Sequence, residues 1–127
     1  MPHYLLTLTV QAHPAGATVV RVTGELDLHT AARMRRSTDR LPLAPGGVLV
    51  LDLSGLTFCD SVGVAELLHV YRTAVAAGAT AAFAGATESL LSTARTTGLD
   101  QVLSFVAGVD DALPPQEQAG GSASSDG

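Results

Sequence analysis

The chain has 127 residues, 46% of them apolar, one cysteine and a formal net charge of -5. That length suits one domain with its own core. A single cysteine excludes an internal disulfide and a thiolate zinc cluster, and the acidic balance argues against nucleic acid, whose phosphates are gripped by surplus Lys and Arg. No apolar run approaches the roughly 20 residues of a membrane helix. Met1-Pro2-His3-Tyr4-Leu5 lacks the basic start and apolar stretch of a targeting peptide, so a cytoplasmic protein without a membrane segment is expected.

Tyr4, Leu6, Leu8 and Val10 alternate with Leu5, Thr7, Thr9 and Gln11, the period of a strand with a drier and a wetter face. Pro14-Ala15-Gly16 makes a turn, and the β-branched run from Thr18 to Thr23 predicts the second arm of an antiparallel hairpin, ended by Gly24-Glu25-Leu26-Asp27. Helix formers predict a helix from about Thr30 to Leu41, stopped before Pro42. Four of the seven basic residues, Arg33, Arg35, Arg36 and Arg40, crowd this segment, and a solvated helix face is the favoured reading over a binding patch. Val48 to Leu53 is almost wholly apolar, which suits a central strand covered on both faces.

Val64, Leu67, Leu68, Tyr71 and Val75 recur at helical spacing and Gly78 stands at a left-handed cap position, predicting a helix from about Ser61 to Ala77. Thr80 to Ala84 reads as a strand. A third helix follows, with Thr87 placed to cap it, Gly98 to close it, and Leu90, Leu91 and Ala94 facing inward. A last strand is expected at Gln101 to Phe105 and a last helical turn at Val109 to Leu113. From Pro114 on, Pro, Gly and Ser dominate without a large apolar residue, so residues 114–127 are expected to be a disordered tail behind a domain of residues 3–113. Strand-helix alternation after residue 24 implies parallel crossovers. The fold class is therefore α/β, with a mixed sheet of about five strands, an N-terminal antiparallel hairpin and about four helices.

The junction after the central strand is the most informative place, since open α/β sheets put their sites beyond the carboxyl ends of strands. It holds Asp52, a link from Ser54 to Cys59, then Asp60 and Ser61 at the helix start. Either side-chain oxygen, Asp60 or Ser61, can cap that helix. A functional reading stands beside the cap: the Ser61 hydroxyl is presented to a kinase. A phosphate there would be accommodated by the free N-H groups and the positive end of the helix dipole. It would also add about -1.5 to -2 charges beside Asp60 and repel a docked partner.

Other chemistries lack support. His3, His13, His29 and His69 show no metal-ligand spacing. Residues 59–63 read Cys-Asp-Ser-Val-Gly, not a nucleophile elbow, and no Gly-Lys-Ser/Thr phosphate cradle occurs. Asp27, Asp52 and Asp60 serve as turn or cap residues more readily than as paired acids. Cys59, beside Phe58, reads as a small buried hydrophobe. A receiver-type aspartate acceptor would expect a lysine late in the chain, and the sequence has none.

Three motifs, Gly24-Glu25-Leu26-Asp27, Leu51-Asp52-Leu53-Ser54-Gly55-Leu56 and Phe58-Cys59-Asp60-Ser61-Val62-Gly63, make the folded segment resemble the STAS-domain anti-sigma factor antagonists (anti-anti-sigma factors). The resemblance implies a STAS-like domain and partner switching. The unmodified protein binds a serine/threonine-kinase anti-sigma factor, displaces its sigma factor, is phosphorylated at Ser61, and is reset by a phosphatase. It further implies a partner surface at Asp27, Asp60, Ser61, Val62 and Gly63; beside it, Glu66 and His69 on the second helix, with Asp27 and His29, are read either as an extension of that surface or, at least as readily, as a plain solvated face. Many members have a second Ser or Thr where this chain has Val62, so Ser61 is the one obvious acceptor. The chain is then a substrate and ligand in stress-response transcription regulation, not an enzyme, with no cofactor or metal, and a monomer or weak dimer. The alternative is a STAS regulatory or scaffold subunit of a transporter or stress-signalling assembly.

Overall fold

The structure, a computed structural model, describes residues 5–113. Its sheet has the order β1-β2-β3-β4-β5, formed by β1 (Leu6–Ala12), β2 (Ala17–Leu26), β3 (Val48–Cys59), β4 (Thr80–Ala84) and β5 (Ser104–Val106). β1 and β2 make the expected antiparallel hairpin, and the other neighbours are parallel. Three α-helices connect the parallel strands: α1 (Ala31–Asp39), α2 (Ser61–Ala76) and α3 (Glu88–Thr97). The expected tail from residue 114 lies outside the described residues.

The helices lie on one face of the sheet. Met34 of α1, Val64, Leu67, Val70 and Ala74 of α2 and Leu90 of α3 share a core with Val20, Val22, Leu49, Leu51, Leu53 and Phe83. Fully burying a side chain such as Leu67 or Phe83 contributes about 1.5–3 kcal/mol. The opposite face is covered more thinly: Val19, Val50 and Ala84 are buried against Val109, Ala112 and Leu113 at the end of the described chain.

Several boundaries differ from the sequence reading. The segment Ser54 to Cys59, expected as a link, continues β3, because β2 runs on beside it and pairs Thr23 with Gly55 and Leu26 with Cys59. Two register shifts, between Arg21 and Thr23 and between Gly24 and Glu25, let the strands stay paired through the small residues. Gly24 has φ +111, and a Cβ there would collide with the Leu5 carbonyl oxygen, so this bend needs glycine. β5 is shorter than expected because Leu99–Gln101 forms a 3-10 turn, with the Gln101 N-H donating to the Gly98 carbonyl at 3.1 Å.

The fourth expected helix is a 3-10 turn at Val109–Ala112, closed by the Asp111 carboxylate accepting from the Gly108 N-H at 2.9 Å. Val75, expected on the apolar row of α2, is 52% exposed, and Ala74 takes the buried place. α1 ends at Asp39, two residues early, where the N-H groups of Arg40 and Leu41 turn back to the Ser37 and Thr38 carbonyls. The helix caps follow the sequence reading. Thr87 accepts from the Leu90 N-H at 3.2 Å, while Gly98 (φ +78) and Gly78 (φ +79) take left-handed positions after α3 and α2.

Candidate functional site

The carboxyl ends of β2 and β3 are adjacent in register, so the chain leaves both strands at one corner of the sheet and enters α1 and α2. After β2, Asp27 ties its own loop. Its Oδ1 accepts from the His29 N-H at 2.8 Å and the Thr30 N-H at 3.3 Å, its own N-H donates to Thr30 Oγ1 at 3.0 Å, and the Thr30 hydroxyl donates to the Glu25 carbonyl at 2.7 Å. Asp27 is 8% exposed. Its carboxylate therefore shapes the turn into α1, and the residues presented outward are Leu28, which is 72% exposed, and His29. Thr30 escaped the sequence reading, although the Asp-x-x-Thr spacing of a helix entrance was there to find it.

After β3 the cap is decided: Asp60 Oδ1 accepts from the Gly63 N-H at 3.0 Å. Ser61 occupies the first position of α2, exposed, and its hydroxyl makes no hydrogen bond among the described residues. Gly63 is buried where α2 meets β2. A Cβ added there would stand 2.5 Å from the Leu26 carbonyl oxygen and 2.7 Å from Cys59 Sγ, so only a glycine lets the first turn of α2 press against the end of β2. The Asp60 N-H donates to the Leu26 carbonyl at 3.4 Å and ties the same two ends. Val62 is half-buried beside them, and Phe58, one residue before Cys59, is 50% exposed.

Glu66 lies further along α2, 8% exposed. Its two oxygens take Nε and Nη2 of Arg35, each at 2.9 Å, a bidentate pair that fixes α1 against α2 and raises the Arg35 pKa above its ordinary value. His69 extends the seam, with Nε2 3.1 Å from Asp39 Oδ1. On the other face of the sheet, Asp52 accepts from the Ser54 N-H at 3.0 Å and the Ser54 hydroxyl at 2.7 Å and pairs with Arg21 at 3.4 Å. Burial works to raise the Asp52 pKa, but the Ser54 hydrogen bonds, helped by Arg21, outweigh it and hold the carboxyl below its ordinary value. Asp27, Asp52 and Asp60 are thus each engaged separately, and no group of three or more His, Cys, Asp or Glu among the described residues could hold a metal ion.

Burial, and secondarily the Asp60 charge, push the Cys59 thiol up to about 12, so at neutral pH it stays protonated. No described helix is long and apolar enough to cross a membrane.

The family model of the STAS domain, described as Mlab, STAS domain, matches residues 9–107. The chain belongs to the STAS-domain family. This STAS domain is similar to an anti-sigma factor antagonist from Mycobacterium paratuberculosis, at 28% identity and a TM-score of 0.71 over 85% of this chain and 91% of that one. It also resembles a sulfate transporter family protein from Wolinella succinogenes, at 19% identity and a TM-score of 0.68 over 81% and 86% of the two chains. The phosphorylated form of the Bacillus cell fate determinant SpoIIAA aligns at 17% identity and a TM-score of 0.58 over 83% and 96%. The last two likenesses establish shared fold alone.

Proposed function

We propose that this STAS domain is an anti-sigma factor antagonist whose binding to a serine/threonine-kinase anti-sigma factor is ended by phosphorylation of Ser61. The observation that carries the reading is the exposed, unengaged Ser61 hydroxyl beside an Asp60 that caps α2 alone. A kinase can take that hydroxyl without removing any bond the fold uses. The resulting phosphate would sit on the first turn of a sixteen-residue helix, where the dipole and first-turn N-H groups favour an anion. To a docked partner the same group is about -1.5 to -2 added charges beside the Asp60 carboxylate, an electrostatic and desolvation penalty that releases it.

The partner surface in this reading has two parts. Leu28, His29, Phe58, Ser61 and Val62 make contact, with Leu28 and Phe58 as the apolar anchors. Asp27, Asp60, Gly63 and Glu66 hold the shape, because their polar or backbone groups are spent on the loop, the cap, the helix contact and Arg35. Residues 3–113 act as the binding unit and 114–127 as a tail outside it. The protein works in the cytoplasm as substrate and ligand rather than catalyst, and a separate phosphatase restores the unmodified state. Likeness to the Mycobacterium antagonist supports this choice over a transporter-regulating STAS subunit, the reading that the Wolinella fold neighbour keeps open.

The test is incubation with anti-sigma kinases and ATP, followed by mapping of phosphate by mass spectrometry. Phosphate on Ser61 is expected. Phosphate elsewhere, or none with a kinase that binds the protein, would overturn the reading.

A further inference from the structure

α1 has three faces. Met34 and Thr38 are buried, and Arg35 and Asp39 reach Glu66 and His69 of α2. The third face carries Arg33, Arg36 and Arg40, whose separations of three and four residues align them on one stripe. All three are exposed, and among the described residues none joins an ion pair.

This placement works against the first turn of the helix, whereas Arg36 in the last turn and Arg40 at the C-cap meet the favourable negative end of the dipole. Like charges three and four apart repel. Arg33 also stands in the first turn, where the positive dipole end disfavours a cation and no acidic residue of that turn offsets it. The stripe itself holds no acid, although Asp39 stands exposed beside it and the chain has 12 Asp and Glu against seven Lys and Arg. Three aligned, exposed guanidinium groups that join no ion pair among the described residues indicate a ligand of the opposite sign.

We propose that Arg33, Arg36 and Arg40 form a docking face for an acidic helical segment of a partner protein. The stripe extends about 10 Å at 1.5 Å per residue, the span of carboxylates on two turns of one helix. Guanidinium groups suit carboxylates because they can bond them bidentately. The Glu66 pair holds α1 in place beforehand, which lowers the ordering cost of binding. A bilayer or a nucleic acid is an extended polyanion that would also face the more acidic remainder of the molecule, whereas a short segment meets only the stripe.

The probe is a fluorescein-labelled helical peptide with glutamates at three- and four-residue spacing, measured by anisotropy against its glutamine counterpart. The wild-type protein should bind the glutamate peptide and not the glutamine one. Combined Arg33→Gln, Arg36→Gln and Arg40→Gln should weaken binding at least about tenfold while leaving the melting temperature unchanged or higher, since repulsion is removed. Arg72→Gln, on an exposed α2 arginine, should stay within about twofold of wild type. Replacing the three arginines with glutamate should transfer binding to a lysine peptide. Four results would overturn the proposal: no binding by wild type, an unchanged triple variant, an equal loss in Arg72→Gln, or binding to phosphatidylserine vesicles in place of the peptide.

Discussion

Asp60 Oδ1 lies 3.0 Å from the Gly63 amide nitrogen, so the start of α2 is held by the residue before Ser61 and not by Ser61 itself. Structure and modification are thereby divided between neighbours. Asp60→Ala should cost about 1 kcal/mol of stability, the usual value of a lost N-cap. Ser61→Ala should change it by less than about 0.5 kcal/mol, as at an ordinary exposed position. Urea unfolding of the two variants checks the division, and equal losses would contradict it.

Gly63→Ala forces a methyl group to within 2.5 Å of the Leu26 carbonyl and 2.7 Å of Cys59 Sγ. Because the first obstacle is backbone, α2 must move. A destabilisation of about 1–3 kcal/mol is expected, as for overpacking of a filled core. Amide chemical shifts of Asp27, Asp60 and Ser61 should move with it, because the two strand ends meet at this glycine. A variant with native stability and unmoved shifts would show that the contact is slack.

The Asp52 carboxyl titrates below its ordinary value in the folded state. Its contribution to stability is therefore complete above the unfolded carboxylate pKa of about 3.9 and is lost as pH falls through the lower folded value. Asp52→Asn should lower stability at neutral pH and flatten the acid limb of the stability profile. Urea midpoints measured from neutral pH into the acid range check this, and an acid limb as steep as in wild type would contradict it.

Cys59, held protonated with its pKa up at about 12, should react with iodoacetamide at least about tenfold more slowly at neutral pH than an ordinary exposed thiol, the scarcity of thiolate outweighing its higher nucleophilicity. Its rate should keep rising with pH beyond 9 for as long as the fold persists. A plateau near pH 9 would place the thiol in water.

Sequence pattern made the hairpin, the order of strands and helices and the corner holding Ser61 legible, because each rests on local periodicity or a nearby cap. Three features were hidden for separate reasons. The second half of β3 passes through Ser54 and Gly55, poor strand formers that pairing with β2 overrides. The choice between Asp60 and Ser61 as cap was open because both side chains accept hydrogen bonds, and only the helix start settles which one reaches Gly63. The Arg35 to Glu66 pair joins residues 31 apart, so neither periodicity nor spacing could disclose it. It changes Glu66 from a candidate contact residue into one that seats α1.

The most direct measurement is the affinity of an anti-sigma kinase for Ser61→Asp beside Ser61→Ala, both confirmed folded. Ser61→Ala should bind like the unmodified protein, and Ser61→Asp at least about tenfold more weakly, since a single carboxylate carries part of the phosphate charge. Equal binding of the two variants would contradict a switch at Ser61.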